Sequence, residues 1–350
     1  MAALPQTAVI GAGTWGTTLA ALLAENGVAV TLLCHDAAVA REINSGHRNP
    51  TYFPYTELPP SIAATTDWPE ALAASLVYVV VPTSFLEPVF VDQLEQWLDW
   101  SQRGGLLCNC SKGLLLRPVR RVDEWLAELL PQAQVAQLSG PNLAAEIMAG
   151  HPAAAVVSGA DATARAVQAQ LSSNRFRVYT GTDMVGAEVA GFYKNIIAIA
   201  AGVVTGLGFG DNTRSALITR GLAEMARLTA YFGGERATLY GLAGVGDLIV
   251  TCGSPLSRNF RAGVLRAEGK RLPQIVAALT APGGGHSVAE GIQASRALHE
   301  WPAEQPAIHP AHAIGWPELP IAREVYRILH EDADPREAIT RLMARPPKAE

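Results

Sequence analysis

Through the first half of the chain, short apolar runs alternate with longer stretches whose apolar positions recur every three or four residues. Past residue 185 only the second pattern remains. Runs at 7–10, 28–33, 62–65, 76–81, 106–110, 134–138, 153–157 and 176–179 predict strands. The run at 76–81 is apolar throughout, as a central parallel strand covered on both faces requires. Helical spacing lies between these runs at 17–24, at 37–43, in the set Phe85, Val89, Phe90, Leu94 and Trp97, and at 119–130. Gly27 stands where the first helix needs a C′ residue. Strand and helix in alternation predict an α/β fold with a doubly wound, mainly parallel sheet.

From residue 185 the pattern predicts helices over 186–204, 214–232, 246–252, 258–268, 273–280, 288–300, 321–330 and 336–344. The expected organisation is therefore a sheet domain over 1–184 followed by an all-α domain over 185–350. The stretch 301–320 is rich in Pro and His and reads as a long surface loop, and 49–54 reads as irregular.

Composition narrows the class. Hydrophobic residues make up 49% and charged residues 17% of 350 positions, which suits two well-buried domains. A net charge of −5 without long Lys or Arg runs argues against nucleic acid as a main partner. Cys34, Cys108, Cys110 and Cys252 form neither a disulfide framework nor paired metal-binding motifs. Cys108 and Cys110 alternate in a strand-like run and are expected as buried thiols, the cysteine usage fits a reducing, cytoplasmic setting, and no metal site is expected. Residues 1–6 lack the basic and apolar segments of a signal peptide. The charge-free run between Lys194 and Asp211 is shorter than the roughly 20 residues of a membrane span. It is expected as a buried helix, and no transmembrane segment is expected. A homodimer is the default oligomer.

The first candidate chemistry lies directly after the first strand, at Gly11-Ala12-Gly13-Thr14-Trp15-Gly16. A G-x-G-x-x-G between a strand and a helix is the dinucleotide fingerprint of a Rossmann-like domain. Gly11 permits the tight turn, Gly13 lets a pyrophosphate approach the backbone, and Gly16 lets the helix pack close to the strand. The helix N-terminus presents free N–H groups to the phosphate charge. Ligands of open α/β sheets sit beyond the carboxyl ends of the strands. Those ends also carry His35-Asp36, Pro82-Thr83, Ser111-Lys112 and the turn from Gly140 to Asn142.

In the second half, Lys194 and Asn195 interrupt an apolar helix. Burial lowers a lysine's pKa, so such a residue can exchange protons near neutrality. Asp247 follows a glycine-rich loop, Thr251 lies one turn on, and Ser257-Arg258-Asn259 opens a further helix. There a guanidinium and free N–H groups together suit a phosphate. Taken singly, each has a plainer reading: Lys112 as a surface lysine, Lys194 as a snorkelling side chain, Asp247 and Ser257 as N-caps. Together they make an inventory of dinucleotide, small phosphorylated substrate and proton-supplying lysine, which is what hydride transfer to a carbonyl needs.

These blocks resemble, over essentially the whole chain, the NAD(P)-dependent glycerol-3-phosphate dehydrogenases of bacterial type. The stretches that carry the resemblance are 11–16, Ser111-Lys112-Gly113-Leu114, Ser139-Gly140-Pro141 with Glu146, the helix around Lys194-Asn195, 212–225, and 241–259. The resemblance implies reversible reduction of dihydroxyacetone phosphate to glycerol 3-phosphate for glycerophospholipid synthesis, with NADP or NAD as cofactor. It implies that Thr14, Trp15, His35, Lys112, Ala144, Arg258, Val288 and Glu290 contact the dinucleotide. It assigns Lys112, Gly140, Asn142, Asn195, Asp247, Ser257, Arg258 and Asn259 to the substrate, and makes Lys194 the proton acceptor in alcohol oxidation. Asn142 stands where the family more often has Ser or Thr, and 301–320 is longer and richer in Pro than usual. Two other readings use the same plan: a β-hydroxyacid-type dehydrogenase and a non-catalytic dinucleotide sensor. Asp36 suits a ribose 2′-OH and hence NAD, whereas His35 or Arg41 suits NADP, towards which the resemblance leans.

Overall fold

The apolar runs of the first half form strands. The computed structural model describes residues 6–280, 289–304 and 315–347. Its strands are β1 (Thr7–Ile10), β2 (Val30–Leu33), β3 (Ile62–Thr65), β4 (Leu76–Val79), β5 (Leu106–Asn109), β6 (Leu115–Leu116), β7 (Val119–Arg120), β8 (Gln134–Ser139), β9 (Ala153–Gly159) and β10 (Phe176–Gly181). Eight of them build one sheet in the order β10-β9-β8-β5-β4-β1-β2-β3. β1 runs parallel to both neighbours, with Thr7 opposite Val30 on one side and Leu76 on the other. The order therefore reverses between β1 and β4, and such a switch point opens a crevice at the carboxyl ends of the strands. Among the described residues of this sheet, only the β8–β9 pair is antiparallel, with Ala136 opposite Gly159.

The chain divides into two units. The first holds residues 6–112 and 121–188; the second holds 113–120, 189–280 and the described residues from 289 onwards. In the first unit every residue of β1 and β4 is buried. Thr7, Tyr78 and Gln170, polar groups inside this core, pair with one another, as burial in a low dielectric favours. Gln170 donates from Nε2 to Thr7 Oγ1 (2.8 Å), and its Oε1 accepts from the Tyr78 hydroxyl (3.3 Å). Phe90 stacks on Trp97 at 4.4 Å and meets Trp125 edge-on at 5.3 Å, which anchors the helix Leu94–Gln102.

In the second unit the organising element is the helix Met184–Gly206, from Val189 onwards. It is long and apolar enough to cross a membrane by length and composition, and 89% of its apolar window is buried. Glycines set how closely its neighbours approach. A Cβ on Gly202 would lie 2.0 Å from the Phe260 carbonyl oxygen, and one on Gly263 would lie 2.0 Å from that of Ile199. The helix Arg258–Ala267 thus crosses backbone against backbone, a contact no larger residue allows.

Three expectations need correction. The one helix expected through Phe85, Val89, Phe90, Leu94 and Trp97 is two, Leu86–Val91 and Leu94–Gln102, because the chain turns at Asp92-Gln93 between them. The helix expected over 119–130 begins only at Val122 and ends at Leu129. Val119 and Arg120 instead pair with Leu116 and Leu115 as β7 against β6, because the chain doubles back at Pro118 before any helical turn can close. The surface loop expected from residue 301 is also wrong at its start: the helix Glu290–Glu304 runs through Trp301, which is 1% exposed. Its indole packs edge-on against Phe232 at 4.9 Å and stacks with Trp316 at 6.4 Å. Burying that surface outweighs the helix-breaking tendency of Pro302. Residues 305–314 of that stretch, like Val288, lie outside the described residues.

Candidate active site

The glycine turn has the geometry its sequence predicts. Gly11 adopts φ +105°, a region that favours glycine, and a Cβ there would lie 2.6 Å from the Val80 carbonyl oxygen. A Cβ on Gly16 would lie 1.8 Å from the Gly11 carbonyl oxygen, so turn and helix touch. Gly13 is different: a Cβ there would meet nothing within 4 Å. Its missing side chain serves no internal contact and leaves the backbone open to a ligand. Gly13 also precedes the helix Thr14–Glu25 without any side-chain cap, so the first N–H groups keep their hydrogen-bonding capacity for an anion. These residues fit a pyrophosphate.

The other predicted residues of this unit sit on the carboxyl ends of parallel strands. His35 and Asp36 follow β2 and are exposed. Asp36 is partly committed, since its Oδ1 accepts from Ala38 N at 2.7 Å as the N-cap of the helix Ala37–Gly46. Thr14 and Trp15 are half-buried in the turn, and Ala144 opens the short helix Ala144–Met148. Lys112, after β5, donates from Nζ to the Gly140 carbonyl (2.9 Å), bringing two predicted residues together. Asn142 lies two residues beyond, and both polar atoms of its amide are buried without a hydrogen-bond partner. An unpaired buried amide is costly, and a ligand hydroxyl or phosphate is the kind of group that satisfies it.

Beneath Lys112 runs a polar network that local sequence patterns do not announce. Asn109 Nδ2 donates to Gln137 Oε1 (2.7 Å), Gln137 Nε2 to the Ser111 carbonyl (3.1 Å), and Ser111 Oγ to the Val81 carbonyl (2.6 Å). It ties the loops after β4 and β5 to the strand β8. Its trace in the sequence is slight, Asn109 in the run 106–110 and Gln137 in the run 134–138. Asn49 is likewise absent from the residues expected at the site; it reaches the glycine turn from a stretch that reads as irregular.

In the second unit, Lys194 is 7% exposed. Its Nζ donates to Asp247 Oδ1 (2.6 Å) and to Thr251 Oγ1 (3.0 Å). Thr251 Oγ1 in turn bonds the Asp247 carbonyl oxygen (2.6 Å). The lysine therefore neither snorkels nor stands free: an ammonium is held by a buried carboxylate and a hydroxyl. Asn195 and Asn259 meet each other, with Asn259 Nδ2 donating to Asn195 Oδ1 (2.9 Å). Asn259 Oδ1 accepts from Gly291 N (3.0 Å), next to Glu290 at the start of its helix. Ser257 caps the helix Arg258–Ala267, its Oγ accepting from Phe260 N (3.2 Å), and Arg258 is the half-buried first residue of that helix.

All four cysteines are free and buried. Burial pushes the Cys34 and Cys252 thiols up to about 12, and Lys194 beside Cys252 offsets only part of that effect. Burial likewise drives Cys108 well above its usual range. Thiolate is the reactive form, so none of these three should act as a nucleophile. A thiol-specific reagent should label the native protein slowly and the denatured protein at four sites. Rapid labelling of Cys252 in the native state would contradict this reading.

Comparison with known proteins matches both halves of the chain to one family. Residues 6–165 match the model of the NAD-dependent glycerol-3-phosphate dehydrogenase N-terminus, and 183–340 that of its C-terminus. The chain is 41% identical over 349 residues to glycerol-3-phosphate dehydrogenase (NAD(P)+) of Corynebacterium jeikeium, covering 99% of each. It is 41% identical over 346 residues to the protein of that name from Geobacter metallireducens, covering 98% of each. The crystal structure of glycerol-3-phosphate dehydrogenase from Coxiella burnetii superposes with a TM-score of 0.85 at 34% identity, over 97% of this chain and 98% of that one.

Proposed function

The chain belongs to the NAD-dependent glycerol-3-phosphate dehydrogenase family, and from that premise we propose how its residues divide the reduction of dihydroxyacetone phosphate to glycerol 3-phosphate. The enzyme is an NAD(P)-dependent oxidoreductase, and its product supplies the backbone of glycerophospholipids. The observation that carries the assignment of roles is the Lys194–Asp247–Thr251 constellation, a buried ammonium in an apolar helix.

When bound, the reduced nicotinamide supplies a hydride to the substrate's C2 carbon. The Gly11, Gly13 and Gly16 turn and the following helix N-terminus hold the dinucleotide's pyrophosphate, while Thr14, Trp15, His35 and Ala144 add further contacts. In the second unit Lys194 donates a proton to the developing C2 alkoxide, and the reverse reaction returns it. Asp247 and Thr251 orient the ammonium, and the Asp247 carboxylate balances its charge. Arg258, with the N–H groups of its helix N-terminus, holds the substrate phosphate as a charge-assisted pair. Lys112, Gly140 and Asn142 are assigned to the substrate as well. Ser257, Asn195 and Asn259 support the site through the cap and the amide pair described above. Glu290, and Val288 by resemblance alone, are assigned to the dinucleotide.

Replacing Arg258 with Ala should raise KM for dihydroxyacetone phosphate by about 10- to 100-fold, the worth of one charge-assisted contact, and change kcat less. An unchanged KM would remove the phosphate from Arg258. Turnover of a non-phosphorylated hydroxy acid in preference to glycerol 3-phosphate would favour the wider β-hydroxyacid class instead. We also place the enzyme in the cytoplasm, on its four free thiols, and take a homodimer as its assembly.

A further inference from the structure

The glycine turn does not hold its shape alone. The chain leaves the helix Ala37–Gly46 through His47, which adopts φ 49°, and folds back as a strap over residues 47–58. The strap closes on itself, with Leu58 N donating to the His47 carbonyl (2.8 Å) and Phe53 N to the Asn49 carbonyl (2.9 Å). Asn49 lies within it at 0% exposure. Its Oδ1 accepts from Thr51 N and Tyr52 N, both at 3.2 Å, which shapes the strap. Its Nδ2 points the other way. It donates to the Ala12 carbonyl (2.9 Å) between the first two glycines, and to Thr17 Oγ1 (2.8 Å) in the first turn of the helix. Thr17, also 0% exposed, bonds the same Ala12 carbonyl (3.3 Å).

We propose that Asn49 is a positioning residue for dinucleotide binding: through Nδ2 it locks the Ala12 peptide and Thr17, and so holds the Gly13 backbone and the helix N-terminus in the shape that receives the pyrophosphate. The physical reason lies in the turn itself. Gly11, Gly13 and Gly16 give it the freedom to approach a phosphate, and the same freedom makes the unliganded turn costly to order. A buried amide that satisfies both its donor and its acceptor side supplies that order in advance. Asn suits the task because one planar group donates to the turn while accepting from the strap; Asp would lose the donor and Ser the reach.

The inference rests on the reading that this turn binds the dinucleotide, and the test separates the two. Thr17→Val removes the hydroxyl with little change of shape or charge, and Asn49→Ala removes the whole latch. Dissociation constants for NADPH and NADH would be measured by quenching of intrinsic tryptophan fluorescence, alongside kcat and KM for dihydroxyacetone phosphate. Each single variant should weaken dinucleotide binding about tenfold, the worth of one buried hydrogen bond, with kcat at saturating dinucleotide and KM for the second substrate near those of the wild type. Because both act through one lock, the double variant should bind no more weakly than the weaker single one. Variants that bind dinucleotide as the wild type does, or that lose kcat in step with melting temperature, would overturn the proposal. Should Asn49→Ala fail to fold, Thr17→Val alone carries the binding arm, and unchanged binding there overturns the proposal equally. A wild-type protein that binds neither NADPH nor NADH would instead overturn the underlying reading.

Discussion

Lys194→Ala is expected to lower kcat for dihydroxyacetone phosphate reduction by about 10²- to 10⁴-fold, the usual contribution of a positioned general acid. The binding of NADH and NADPH should stay near the wild-type level, because Lys194 is assigned to the substrate's C2 oxygen and not to the dinucleotide. Lys194→Arg should not restore the rate, since a guanidinium does not release its proton at neutral pH. Steady-state kinetics at saturating cofactor decide the matter. Turnover within a few-fold of the wild type would take the proton from Lys194 and leave it a structural role.

That structural role is itself large. The side chains of Lys194 and Asp247 are only 9% and 2% exposed, so solvent screens neither. Removing one partner of such a pair leaves a buried charge uncompensated, at a cost of about 3–5 kcal/mol. Lys194→Met and Asp247→Asn should each lower stability to urea by that amount. The double variant, in which no charge remains, should be more stable than either single one, because only the unpaired charge is severely penalised. If both singles unfold within about 1 kcal/mol of the wild type, the pair behaves like an exposed one, open to water in solution. The double variant also serves as a control for the kinetics, since it lacks the proton donor without carrying the full folding penalty.

The parts of the site that could be read along the chain are those whose physics is local. At Gly11, Gly13 and Gly16 the demand for a tight turn, an open backbone and a close helix falls within six consecutive residues, and strand and helix patterns flank them. The parts that could not be read depend on partners far away in sequence. Asn49 lies 37 residues from the Ala12 carbonyl it holds, and nothing around Asn49-Pro50 announces more than a turn. Asp247 lies 53 residues from Lys194, and its sequence context fits an N-cap equally well. Ser257 does serve as the cap that local reasoning allows. Trp301 sits beside a proline, and only its packing against Phe232 and Trp316 explains why the helix continues.

By itself, then, the sequence determined the alternation of strands and helices, the dinucleotide turn, the change to helices near residue 185, and the presence of a lysine in an apolar helix. Periodicity and glycine placement act over a few residues, so they are written where they act. Tertiary structure alone decided which buried groups face each other: the carboxylate on Lys194, the amide behind the glycine turn, and the amide network under Lys112. A buried polar group must find a partner wherever the chain comes back to it, and linear spacing carries no record of that return.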